Sequence, residues 1–152
     1  MKTLWILTAN SSFAKIYEVK GHGREIKELQ HIDNPDGRKK SGEILNDRPG
    51  RAFDSVGGGR HALGTQVDVK EHLKQIFAQQ LVKRLEEGQE KKSFEELAIV
   101  APAHFLGEIK RNVSDMLKKK IVKEVSKDLN ERISEQDRID QLCEYLDLWN
   151  HT

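Results

Sequence analysis

Leu97-Ala98-Ile99-Val100-Ala101, with Pro102 directly behind it, is the stretch that decides the fold. A continuous apolar run without polar alternation is typical of a strand that is covered on both faces of its sheet. Pro102 suits the start of a helix, and the buried stripe of that helix is predicted to include Phe105, Leu106 and Ile109. A central strand followed at once by a helix predicts an α/β protein.

Three further strands are predicted upstream of this run. Leu4 to Leu7 are apolar and indicate a second strand that is buried on both faces. Residues 13–19 alternate between two apolar sets, and Gly21-His22-Gly23 predicts a hairpin turn behind them. Residues 25–32 are more polar and less regular, as expected nearer a sheet edge. The first third of the chain is therefore predicted to be an antiparallel meander.

Helices and strands are predicted to alternate in the second half of the chain. A long amphipathic helix is expected to begin at the capping-box pair Asp68 and Glu71 and to end near Gly88. Ser114 is predicted to cap a short helix, and residues 121–125 are predicted to form the last strand.

The closing helix is predicted to follow a second capping box, formed by Ser134 and Asp137. Cys143 is interpreted as a small apolar residue on a face of this helix rather than as a nucleophile. The element order is β-β-β, long loop, α-β-α-β-α, which predicts a mixed sheet of about five strands with helices on both faces. This is the element order of the ribonuclease-H-like and release-factor middle-domain class. We expect one domain over residues 1–152.

The composition narrows the possible functions. The net charge is +1 and aromatic residues are 6% of the chain, so neither global charge nor broad stacking surfaces indicate a partner. A single cysteine excludes an internal disulfide. The apolar stretch near the start is too short for a membrane span or a signal peptide. We therefore expect a cytoplasmic protein that does not insert into membranes.

Residues 33–67 fit neither a helical nor a strand pattern and are predicted to form one long loop. Glycine and proline recur there, and loops beyond about 12–15 residues in a compact domain are usually functional or disordered. Between Gly37 and Ala62 there are six cations and three anions, a local charge of +3 in a nearly neutral chain. The functional interpretation is a loop that contacts phosphates. The alternative is a solvated, mobile loop with incidental charges.

The tip of this segment is Gly57-Gly58-Gly59, followed by Arg60 and His61. Three glycines permit close approach of another surface, and their N–H groups can form an anion-binding nest. Arg60 adds a fixed charge and His61 a titratable one. The predicted nucleic-acid or partner-binding residues are Arg48, Arg51, Gly57, Gly58, Gly59, Arg60 and His61.

Other motifs in the sequence do not support a cofactor or metal site. Gly57, Gly59 and Ala62 fit the spacing of a dinucleotide-binding motif, but no predicted strand precedes them. The histidines are dispersed and have no cysteine nearby, which argues against a zinc site. Acidic residues within the basic loop are interpreted as ion-pair partners rather than metal ligands. We expect no cofactor and no metal site.

A hydrolytic site receives little support from the residues alone. Ser55, His61 and Asp54 can be drawn as a triad, but the sequence indicates no oxyanion hole. His104 opens the helix behind the central strand, which is a natural ligand position and makes it a further candidate.

Nearly the whole chain resembles the bacterial host-attachment protein family, described as proteins required for attachment to host cells. The resemblance is carried by residues 47–55 (DRPGRAFDS) and 57–62 (GGGRHA), with support from residues 5–9, 35–38, 101–107 and 126–129. This family is similar in turn to the middle domain of archaeal and eukaryotic peptide-chain release factors.

The resemblance implies a role near RNA. In those release factors a Gly-Gly-Gln loop enters the ribosomal peptidyl-transferase centre and promotes peptidyl-tRNA hydrolysis. In this sequence Arg60 follows the glycines, and Gln66 lies too far along to substitute for the missing glutamine. Contact with RNA or the ribosome is therefore expected rather than hydrolysis.

The residues and the resemblance together indicate three possible functions. The first is a non-enzymatic RNA- or ribosome-associated protein that presents the glycine-rich loop. The second is a protein-interaction module required for host-cell attachment. The third is a hydrolase that uses His61 on peptidyl-tRNA or another ester.

Overall fold

The structure, a computed structural model, describes residues 2–21, 25–38 and 59–148, with only the backbone at residues 38 and 59–67. Its centre is a five-stranded mixed sheet in the order β3-β2-β1-β4-β5. β1 pairs antiparallel with β2, and β2 with β3, whereas β1-β4 and β4-β5 are parallel. The strands are β1 Thr3–Ala9, β2 Phe13–Lys20, β3 Ile26–Asp33, β4 Glu96–Ala101 and β5 Ile121–Ser126.

Four α-helices and one 3-10 helix complete the described chain. Their bounds are Pro35–Arg38 for the 3-10 helix, then α1 Gly59–Glu90, α2 Ala103–Asn112, α3 Asp115–Lys120 and α4 Glu135–Leu146. The hydroxyls of Ser114 and Ser134 accept hydrogen bonds from the backbone N–H groups of Leu117 and Asp137. The predicted cap at Ser114 is confirmed, as is the serine half of the capping box predicted for Ser134 and Asp137.

Alternation along β4 divides the core into two layers. Leu97, Ile99 and Ala101 belong to a cluster with Phe77, Leu81 and Leu85 of α1 and with Phe105 and Ile109 of α2. Ala98 and Val100 belong to a second cluster with Leu142, Cys143 and Leu146 of α4. The prediction of a central strand covered on both faces is therefore confirmed, as is the mixed α/β fold class. β3 lies at an edge, as its polarity indicated.

Cys143 is a buried core residue. Its side chain is 1% exposed, and burial raises the pKa of its thiol to about 11. Because the thiolate is the reactive form, the interpretation of Cys143 as an apolar residue is confirmed.

The predicted start of the long helix at Asp68 is wrong. α1 begins at Gly59, so the predicted loop 33–67 contains the end of β3, the 3-10 helix and the first nine residues of α1. Residues 60–67 contain no proline, so their propensities do not prevent the helix from continuing toward its N-terminus. Asp68 and Glu71 consequently lie inside the helix and do not form its cap. Residues 39–58 lie outside the described part of the chain.

The predicted end of α1 near Gly88 is confirmed, since the helix ends two residues later, at Glu90. Lys92 adopts the left-handed conformation, with a φ of 57°. Its N–H donates to the carbonyl of Gln89, and the N–H of Ser93 donates to that of Gly88. A lysine thus occupies the left-handed position that glycine usually takes behind a helix. Among the described residues, no helix is long and apolar enough to cross a membrane.

Candidate functional site

Only part of the predicted binding set lies within the described chain. Gly59 is the first residue of α1, and Arg60 and His61 follow in its first turn. The N–H groups of a first helical turn have no partners within the helix and carry a partial positive charge. Arg48, Arg51, Gly57 and Gly58 lie outside the described residues.

The carboxyl ends of the three parallel strands define one edge of the sheet, which we call the carboxyl edge. It comprises the ends of β1, β4 and β5 at Ala9, Ala101 and Ser126. His104 lies in the first turn of α2, directly behind β4, and its imidazole pairs with the Glu71 carboxylate of α1. This contact brings the middle of α1 to the carboxyl edge. Gly59 precedes Glu71 by twelve residues, which is about 18 Å along a helix axis.

The 3-10 helix is held closely against the turn between β1 and β2. The N–H of Asn34 donates to the carbonyl of Ser12 over 2.8 Å, and its side-chain amide donates to the carbonyl of Ser11 over 2.7 Å. A Cβ atom at Gly37 would lie 1.9 Å from that Ser11 carbonyl oxygen. Only glycine fits this approach, so the backbone at Gly37 is fixed against the turn between β1 and β2.

The turn that receives the 3-10 helix is itself ordered by Asn10. The Asn10 side-chain oxygen accepts from the N–H groups of Ser12 and Phe13 over 2.8 and 3.1 Å. Its amide nitrogen donates to the Asp128 carboxylate over 2.9 Å. A single asparagine therefore connects the β1–β2 turn to the chain behind β5, on the same edge of the sheet.

A shallow groove separates the 3-10 helix from α1. It is lined by Ser11, Asn34, Asp36, Gly37, Lys70, Leu73 and Lys74. Lys70 and Lys74 are four residues apart, so they lie on the same face of the helix. They present two ammonium groups beside polar side chains and backbone. Sequence analysis missed both lysines, because only the tertiary fold places them opposite Asn34 and Gly37.

The Glu71–His104 pair joins α1 to α2 at this edge. The hydrogen bond from His104 lowers the pKa of the Glu71 carboxyl below its ordinary value of 4.5; partial burial opposes this, and Lys74 adds a smaller favourable effect. The position of His104 was anticipated from the sequence, whereas its partner Glu71 lies 33 residues away and was assigned to a cap.

We expect the Glu71 carboxyl to titrate below 4.5 in the folded protein and to move upward in His104→Ala. Lys74→Ala is the matched control and should move it less, because Lys74 contributes less to the shift than the His104 hydrogen bond. Since the folded-state pKa is depressed, the stabilisation from this pair is present above 4.5 and is lost as the pH falls through the folded value. Carboxyl-detected NMR titration measures these midpoints. An unchanged midpoint in His104→Ala would contradict the assignment.

Together, these contacts define the class to which the chain belongs. It is an α/β protein with a five-stranded mixed sheet and helices on both faces. The chain belongs to the family described as protein required for attachment to host cells, whose model matches residues 5–141.

Two solved structures are similar to the chain. An archaeal translation termination factor matches with a TM-score of 0.46 and 10% identity, covering 97% of this chain and 40% of that one. An archaeal protein matches with a TM-score of 0.43 and 14% identity, covering 98% of this chain and 36% of that one. The chain thus spans less than half the length of either structure. No curated protein matches the sequence.

Proposed function

We propose that this protein is a non-enzymatic, cytoplasmic RNA- or ribosome-associated protein that contacts RNA through its glycine-rich segment. The observation that carries the proposal is the concentration of positive charge. Residues 37–62 have a charge of +3 in a chain of net +1. The groove beside the start of this segment adds Lys70 and Lys74 against one carboxylate, Asp36, and Lys74 also pairs with Glu71 over 3.9 Å. Phosphate groups are the ligands that such a basic surface favours.

The individual roles follow from the chemistry of each residue. Arg48, Arg51 and Arg60 offer paired N–H donors that suit phosphate oxygens. Gly57, Gly58 and Gly59 allow an RNA backbone to approach closely, since no side chain intervenes. His61 offers a ring nitrogen that hydrogen-bonds a base or a phosphate.

Contact is favoured over catalysis because of the residue that follows the glycines. Arg60 is a permanently charged donor that cannot act as a base at neutral pH.

RNA binding measured against salt concentration tests this proposal. Ribosomes and tRNA are titrated with wild type, Arg60→Ala and Lys118→Ala. Lys118 is an exposed lysine on α3, so its loss removes the same charge at a position outside the proposed contact. Arg60→Ala should weaken binding and reduce the slope of log K against log salt by about 0.7–0.9, while Lys118→Ala matches wild type. Absent or salt-insensitive binding would reject the proposal.

A second candidate is a protein-interaction module, favoured by the description of the family as required for attachment to host cells. Here the segment would bind a protein rather than RNA. Replacing residues 39–58 with a glycine-serine segment of equal length keeps both ends in place. Loss of a nuclease-resistant protein partner, with RNA binding unchanged, favours this candidate. Loss of RNA binding alone favours the first.

A further inference from the structure

Three side chains with metal-ligating groups meet at the outer edge of the sheet. His31 and Asp33 lie two residues apart on β3, and Glu131 lies in the turn before α4. One ligand atom from each residue lies within 4.8 Å of the other two. All three are exposed, so an ion from solution has direct access. The sequence predicted no metal site because it shows only ligands that are close along the chain. Glu131 is about one hundred residues from the other two.

The two elements that carry these residues are tied together by a buried aromatic–cation pair. The Phe13 ring meets the His31 ring edge-on, with centroids 6.0 Å apart. The Arg138 guanidinium lies 5.1 Å from the Phe13 centroid. Arg138 also donates to the carbonyl oxygens of Leu129 and Asn130, over 3.3 and 2.8 Å. The turn that presents Glu131 and the strand that presents His31 are therefore held in fixed relation.

We propose that His31, Asp33 and Glu131 bind a divalent transition-metal ion of the Zn²⁺ or Mn²⁺ type. One imidazole nitrogen and two carboxylate oxygens form a mixed donor set that suits these ions, with water completing the coordination. Ligand atoms on one Zn²⁺ are about 3.3 Å apart, given bonds of about 2.0–2.1 Å. The present spacing needs closure of about 1.5 Å at most, which rotation of exposed side chains provides. The bound ion cross-links β3 to the turn before α4.

Calorimetric titration with Zn²⁺ and with Mn²⁺ tests the site on the full chain, with any histidine tag removed. We expect saturable binding of about one ion per chain, as three ligands around one position imply. His31→Asn and Glu131→Gln should each weaken the affinity roughly tenfold or more. His72→Asn is the matched control, because it removes an exposed histidine on α1 outside the cluster. It should leave the affinity unchanged.

A second measurement uses only the wild-type protein, so it does not depend on whether the variants fold. Adding Zn²⁺ to wild type should shift the His31 imidazole resonances and raise the unfolding temperature, because the ion binds the folded state selectively. Absence of saturable binding of either metal would overturn the proposal. Equal weakening by His31→Asn and His72→Asn would also overturn it, since that result indicates nonspecific histidine binding. RNA binding is read separately, so this site and the proposed function can fail independently.

Discussion

Replacing Arg138 with alanine is expected to lower the free energy of unfolding by about 2–5 kcal/mol. The side chain is 1% exposed, and its guanidinium donates to the carbonyl oxygens of Leu129 and Asn130. Alanine would leave these acceptors without their charged donor, remove the cation from the Phe13 ring and open a cavity in the core. Each effect acts at the point where α4 and the preceding turn pack on the sheet.

Urea unfolding followed by circular dichroism measures this loss. Arg132→Ala is the matched control, because Arg132 is exposed six residues earlier and makes its described hydrogen bond through its backbone N–H. It should remain within about 0.5 kcal/mol of wild type. Arg138→Met separates the effect of side-chain volume from that of the charged donor, because methionine refills most of the cavity but supplies no hydrogen-bond donor. A loss below about 1 kcal/mol in Arg138→Ala would show that the turn does not depend on the guanidinium.

The buried state of Arg138 could not be predicted from the sequence. The residue follows Ser134 and Asp137 in a polar helix start, where a charged residue is ordinarily exposed. Its burial depends on Phe13 and on two carbonyl groups from a turn, and only the tertiary fold brings these together. Local pattern, by contrast, suffices for β4, since a run of five apolar residues that ends at Pro102 is too short for a buried helix and favours a covered strand.

The candidate site likewise contains one residue that sequence order reveals and contacts that only the tertiary fold creates. His104 was found because a helix start behind a central strand is a position that sequence order alone reveals. Its contact with Glu71 joins two helices and has no local signature. The same reason applies to His31 and Glu131, which come from an edge strand and a distant turn. The start of α1 at Gly59 was missed because glycines were interpreted as loop residues, whereas the helix continues through Gly64.

Gly88→Ala is expected to destabilise the protein by about 1–2 kcal/mol, although alanine is the better helix former. In an exposed helix this change gains up to about 1 kcal/mol. At Gly88, however, a Cβ atom would lie 2.6 and 2.7 Å from Trp5 ring carbons and 3.0 Å from the Phe94 ring. Trp5 is 6% and Phe94 1% exposed, and their centroids are 4.7 Å apart. The rings have little room to move, so the cost of overpacking, about 1–3 kcal/mol, exceeds the helical gain.

Gly107→Ala provides the matched control, because Gly107 lies within α2 and a Cβ atom there would meet nothing within 4 Å. The same substitution should therefore stabilise the protein by up to about 1 kcal/mol at this position. Unfolding midpoints in urea should move in opposite directions for the two variants, and Trp5 fluorescence should change only in Gly88→Ala. Stabilisation by both alanines would show that the Trp5–Phe94 pair yields to the added methyl group. The opposite signs follow because helix propensity is common to both positions, whereas the contact with the core occurs only at Gly88.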